Sequence, residues 1–291
     1  MTRIFCFWAV FFLIVFGEIA FAGEYTFEVR IKNQPDNPVV IGYVRGDKFI
    51  SIDSLKANVI SGFPVIKSIK YSFSDNFDRG MYRIIFGQTT YSRVMGEPPQ
   101  QLDFIFNRED ILFETDFKDP QDSLVILSSD ENRLWFNFLQ QEKQYHDRLK
   151  ELEQEVDYYD GKITSPGNSG DPVPTYAELE SLKDKRARKA NEFNQLQMER
   201  DMFINQLSDK HNELFASSLI NNFREPFRDG YLSSIERSKF YQKDYLNFVD
   251  FADESLVNSS VLTEKVFNYL VTFNREGFTK EQREKTYMKA V

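Results

Sequence analysis

A chain of 291 residues with 41% hydrophobic and 15% aromatic content, 29 of its residues phenylalanine, can bury a core large enough for two domains and is not a disordered polymer. Its formal charge of −9 is spread along the length, with 12 basic against 15 acidic residues over 23–128 and 23 against 29 over 129–291. Neither part carries the basic excess that neutralises phosphates, which sets nucleic acid aside as a partner.

Arg3, the uninterrupted apolar run Ile4 to Phe16 and the small residues Ala20 and Ala22 read as a secretory signal peptide over residues 1–22, cleaved after Ala22. The alternative is a retained membrane anchor. Against it stand a run shorter than the ~20 residues of a spanning helix and its interruption at Gly17-Glu18. The expected product is periplasmic or otherwise extracytoplasmic, soluble, and in contact with the membrane only through the signal before cleavage. Cys6, the only cysteine, departs with the signal, so the mature chain has no thiol for a disulfide, a redox pair or a thiolate zinc site.

From Glu24 the pattern has period two, with Tyr25, Phe27, Val29 and Ile31 on one face and Thr26, Glu28, Arg30 and Lys32 on the other, as in a half-buried strand. Further strands are predicted over Val39–Arg45, Lys48–Ile52, Val65–Phe73, Met81–Gly87, Gln101–Asn107, Ile111–Phe117 and Leu124–Leu127. Turn-forming segments separate them, among them Arg45-Gly-Asp47, Ser74 to Gly80, Gly96-Glu-Pro-Pro99 and Asn107-Arg-Glu-Asp110. Short, evenly spaced strands without helical patterns between them predict an antiparallel β-sandwich domain over 23–128.

At Ser128 the grammar changes. Ser128-Ser-Asp-Glu131 reads as a capping box, followed by Leu134, Trp135, Phe138, Leu139, Tyr145, Leu149, Leu152, Val156 and Tyr159 at helical spacing. Residues 161–174, rich in Pro, Gly, Ser and Asn, are expected to be an exposed loop, and Thr175-Tyr-Ala-Glu178 opens a second helix with another box. Leu179, Leu182, Phe193, Leu196, Phe203 and Leu207 fall on seam positions interrupted by Arg186, Lys189 and Arg200, which predicts a helical hairpin with an imperfect coiled seam. Shorter helices follow near Ser234–Phe251 and Val261–Phe273, and another opens at Thr279. The fold class is therefore α+β, with a sandwich followed by an all-helical region over 129–291.

No catalytic motif emerges: there is no Gly-X-Ser-X-Gly, no phosphate loop, no Gly-X-Gly-X-X-Gly and no His-Glu-X-X-His. No enzymatic activity, cofactor or metal is expected. His146 and His211 sit among charged and polar neighbours and read as solvated, and the acidic pairs Glu109-Asp110 and Asp116/Asp119 read as turns, although a carboxylate site for calcium or sugar hydrolysis needs the same residue type. The basic run Lys183 to Lys189 reads as a solvated helix face. Between Arg224 and Phe251 aromatic residues are dense. Phe227, Tyr231, Phe240, Tyr241 and Tyr245 are the candidate partner surface, with core packing as the ordinary alternative.

Several stretches resemble the N-terminal region of periplasmic thioredoxin-like proteins of Gram-negative bacteria: Asp78-Arg-Gly-Met-Tyr-Arg83, Leu102-Asp-Phe-Ile-Phe106, Leu112-Phe-Glu-Thr-Asp116, Ser128 to Leu134, and a second block over Phe248–Leu256 and Ser260–Leu270. That region is a small β-sandwich domain of unknown function followed by a helical segment, and the family's redox chemistry belongs to a Trp-Cys-X-X-Cys motif in a thioredoxin-like domain absent from these 291 residues. The resemblance implies a non-catalytic module that positions a thioredoxin-like redox domain or its protein substrate. The rival expectation is a free-standing periplasmic or surface module that binds a glycan or peptide.

Overall fold

The period-two alternation that begins at Glu24 becomes strand β1 (Glu24–Lys32), whose Phe27, Val29 and Ile31 are fully buried while the residues between them are not. The computed structural model describes residues 23–165, 173–274 and 277–290; the expected signal segment 1–22 and half of the expected loop lie outside the described residues. Strands β2 (Val39–Arg45), β3 (Lys48–Leu55), β4 (Asn58–Gly62), β5 (Val65–Ser74) and β6 (Gly80–Gly87) follow, then a single helical turn α1 (Thr90–Val94), β7 (Gln100–Phe106), β8 (Ile111–Asp116) and β9 (Val125–Ser128). They form a five-stranded sheet in the order β4-β5-β1-β8-β9 and a four-stranded sheet in the order β3-β2-β6-β7. The two sheets share one aromatic-rich core in which Phe27 stacks on Phe104 (4.3 Å between centroids) and Phe73 on Phe106 (4.2 Å). Each fully buried side chain of this size contributes roughly 1.5–3 kcal/mol.

Two details depart from the sequence expectation. Strands β1 and β8 run parallel, Phe27 opposite Ile111, in a sandwich whose other six pairings are antiparallel. The chain crosses to the second sheet and back twice between them, and a connection of that length is ample for a parallel pair. Strand β4 escaped detection because Asn58-Val-Ile-Ser-Gly62 is exposed almost throughout and has no apolar-polar alternation to read. The Phe63–Pro64 peptide that follows it is cis.

The β3-β2-β6-β7 sheet is covered on both faces. Tyr82, Ile84, Phe86, Leu102, Phe104 and Phe106 point into the sandwich, whereas Val44, Met81 and Ile105 point outward into a second core with the helices. That outer layer consists of α2 (Asp130–Thr164), α3 (Tyr176–Lys210) and α4 (Phe215–Asn221), followed by α5 (Ser234–Asp244), a 3-10 turn over Glu254–Asn258, α6 (Val261–Val271) and α7 (Lys280–Ala290). Helices α2 and α3, 35 residues each, pack against one another as the expected hairpin, about 52 Å long. The expected break at Gly161 does not occur. Helix α2 runs on to Thr164, because a lone glycine with no neighbour within 4 Å weakens a helix without ending it.

The polar interruptions of the seam are ion pairs to the facing helix. Arg186 meets Asp160 at 2.8 Å, Lys189 meets Glu155 at 3.0 Å, and Arg200 grips Glu142 with contacts of 2.6–3.1 Å. Leu149, Leu152 and Phe193 fill the apolar positions between them.

The helical layer is clasped to the sheet by the 3-10 turn. The Gly46 N–H lies within hydrogen-bond distance of the carbonyls of Val257 (3.2 Å) and Ser259 (3.1 Å), and the Asn258 amide donates to the Arg79 carbonyl. Gly80 is needed for space rather than for its backbone angles, since a Cβ there would lie 2.6 Å from the Asn258 carbonyl oxygen. Gly80→Ala is therefore expected to destabilise the protein by about 1–3 kcal/mol, as a lowered urea midpoint at unchanged slope. An unchanged midpoint would mean that the turn is not seated on β6.

Candidate functional site

The joint between sandwich and helices uses several acidic and amide side chains that might otherwise bind ligands, among them Asn107, Glu109, Glu131 and Asn132. Helix α2 does not start with the expected box. Its N-cap is Ser129, at φ 139°, and Ser129 Oγ accepts from the Asn132 N–H (3.0 Å). Asn132, fully buried, then pairs with the edge of β7 as a strand would, accepting from Ile105 N and donating to Ile105 O, each at 2.8 Å. Glu131, 1% exposed, leaves its own helix and accepts from the Phe215 N–H (2.8 Å), the Ala216 N–H (2.7 Å) and Asn107 Nδ2 (2.6 Å). It thereby caps α4, whose own N-cap, Leu214, offers no side-chain bond. Glu109 accepts from Ser129 Oγ and from the backbone N–H groups of Asp130 and Glu131, and burial holds its carboxyl above the ordinary glutamate value against those bonds.

The other bland candidates are placed as their neighbours suggest. Asp110 accepts from the Thr26 N–H, and Asp116 from Asn33 Nδ2 and the Lys118 N–H. His146 is exposed, His211 ends α3 half-buried, and no group of three or more metal-ligating side chains occurs among the described residues.

The candidate partner surface divides. Phe227, Tyr231 and Phe240 are about half exposed, as a docking residue must be. Tyr245, at 4% exposure, and Tyr241, half-buried, turn inward and meet edge to face with centroids 5.0 Å apart. Their side of α5 covers a charged cluster that the sequence did not disclose. Tyr245 is thus removed from the surface by the packing of its ring against Tyr269 (5.8 Å) and beneath the Lys265 ammonium (4.5 Å).

The cluster is built on the Glu142–Arg200 pair. Arg200 also donates to the Phe223 carbonyl (2.8 Å) and lies 3.7 Å from Glu225, while Lys265 on α6, 6% exposed, donates to the Arg224 carbonyl (2.7 Å). Burial outweighs the pull of Arg200 and leaves the Glu142 carboxyl above its ordinary value, so the pair is not fully compensated for its lost hydration. Two clefts flank Arg200 and Glu225. One of about 150 Å³ reaches Lys265 and Asn222, and one of about 390 Å³ is lined by Leu149, Met198, Met202, Phe227 and Phe248. Met198 and Met202, four residues apart on α3, are each more than half exposed.

The cluster makes stability depend on pH in a direction that can be worked out. Burial pushes Lys265 down to about 8 from the ordinary 10.5, so between these values the unfolded chain binds the proton and the folded chain does not, and stability rises with pH. Tyr245 is pushed by burial up to about 12 from 10.0, and Tyr241 moves in the same direction, so above pH 10 the folded chain keeps protons that the unfolded chain loses and stability falls. Urea midpoints are therefore expected to climb from pH 8 to 10 and to drop beyond, and Lys265→Met is expected to flatten the climb. A climb of the same size in that variant would assign it to other groups.

The joint, with Gly80 under Asn258, Ile105 held by Asn132, and Ser129 to Asn132, falls within the stretches quoted for the expected resemblance. Compared with known proteins, the chain matches no protein-family model and no curated sequence.

Proposed function

We propose that this chain is a non-catalytic, extracytoplasmic module that engages a thioredoxin-like redox domain or the protein substrate of one, and that the cleft beside Met198, Met202, Phe227 and Phe248 is where the partner docks. The observation that carries the docking place is the pair of exposed methionines facing two phenylalanines. Unbranched, polarisable side chains adapt to varied apolar partners, and large apolar groups left in water in a concave site mark binding surfaces. The redox part of the reading rests on the resemblance and on the absence of cysteine after Cys6, which leaves such a module dependent on a separate thiol-bearing domain.

A photo-crosslinker at position 198 in the exported protein tests this. A thioredoxin-like protein, or a disulfide-bearing client of one, is expected in the product, and Met202→Asp is expected to weaken its capture at least tenfold without changing the unfolding midpoint. Capture of a glycan or of unrelated peptides in its place would favour the free-standing binding module. Turnover of insulin disulfides by the purified chain alone would end the non-catalytic reading, because that chemistry requires a thiolate.

A further inference from the structure

The fold guards its four sheet edges unequally. The β7 edge is occupied at Ile105 by the Asn132 amide, β3 carries the exposed charges Lys48 and Asp53, and β9 is four residues long and runs directly into the N-cap of α2. Natural proteins use such devices to keep free backbone donors and acceptors from pairing with another chain. At β4 the guard is weaker: the strand is five residues long and its register shifts between Val59 and Ser61, but no side chain caps its edge and it carries no charge. It ends the five-stranded sheet, pairs only with β5, and no charged residue occurs between Lys56 and Lys67. Its hairpin exposes Val59 (63%), Ile60 (55%), Phe63 (99%) and Val65 (41%).

We propose that β4 is a self-association edge, on which the β4 strand of a second copy of this chain pairs antiparallel across a two-fold axis. Three observations select this occupant. A lipid surface could cover the apolar side chains, but it would leave the unpaired N–H and C=O groups of an open edge without partners, which hydrocarbon does not tolerate. A foreign peptide added as a strand is read through side-chain pockets beside the edge, and neither of the clefts described above touches β4. Two copies of a chain of net charge −9 repel one another, and a strand with no charge of its own on either side of the axis is where they can meet with few like charges in contact. The four side chains cover roughly 400 Å² per copy, about half of the ~800 Å² per partner of a standard interface, so the pair is weak and reversible. This inference does not depend on the partner reading above, which concerns a cleft on the helical hairpin.

Sedimentation equilibrium of the chain from Gly23 onward tests it. A monomer-dimer equilibrium is expected with a dissociation constant between about 10 μM and 1 mM. Ile60→Lys and Phe63→Ser, both at exposed positions, are each expected to weaken it at least tenfold at an unchanged unfolding midpoint. A mixture of Ile60→Lys with Ile60→Glu chains is expected to restore association that neither shows alone. A wild-type chain that stays monomeric up to about 1 mM, or a dimer indifferent to both substitutions, would overturn the proposal. So would a monomer that sediments with phosphatidylcholine vesicles and loses that ability in Phe63→Ser.

Discussion

Asn132→Ala is expected to destabilise the protein by about 3 kcal/mol, the largest effect of any neutral side chain at the joint. The amide satisfies both backbone groups of Ile105 from a fully buried position, and alanine leaves a donor and an acceptor without partners where water does not reach. The loss should appear in the urea midpoint, and amide exchange at Ile105 should accelerate before exchange in β1 does. Asn132→Asp retains the acceptor but loses the donor to Ile105 O, and should be no better than alanine at neutral pH. A loss below about 1 kcal/mol would mean that the edge of β7 finds other partners.

Arg200→Met is the second large effect, about 3–5 kcal/mol, because it strands the Glu142 carboxylate in a buried site. Burial already holds that carboxyl high, and removing its guanidinium raises it further. Protonation then relieves the cost, so the gap between variant and wild type should narrow as the pH is lowered. Replacing both partners, Glu142→Leu with Arg200→Met, should recover most of the loss, since apolar groups of similar volume need no hydration restored. If the double variant is as unstable as the single one, Arg200 acts chiefly through the Phe223 carbonyl and Glu225.

Periodicity revealed the strands that bury one face, and it also revealed the two long helices, because Phe27-Val29-Ile31 and Leu149-Leu152-Val156 repeat at the spacing of their elements. It could not reveal β4, which buries nothing, nor the parallel pairing of β1 with β8, which depends on how the chain crosses between sheets. The two-sided burial of β6 and β7 was readable only as extra apolar residues, Met81 and Ile105, in otherwise alternating strands. The joint was half legible. Ser-X-X-Glu spacing announced a helix start, yet whether Glu131 turns back on its own helix or forward to α4 is decided 84 residues later, by the approach of Phe215. The charged cluster was hidden for the same reason. Glu142, Arg200 and Lys265 each look like solvated positions on separate helices, and only packing shows that they meet. In the aromatic segment, sequence density could not separate Tyr241 and Tyr245, which line the cluster, from Phe227, which faces water.

The clasp of the 3-10 turn on β6 joins residues 179 positions apart, as the Asn258–Arg79 bond shows. It therefore also sets an order of events. While the chain is being made, Met81 emerges long before Leu256 of the turn that packs on its strand exists, and at ordinary synthesis rates the interval is on the order of 10–30 s. During that interval the sandwich can close its inner core but presents an oily outer sheet. A chain stalled or cut before residue 254 should be a strong client for holding chaperones, and the completed chain a poor one.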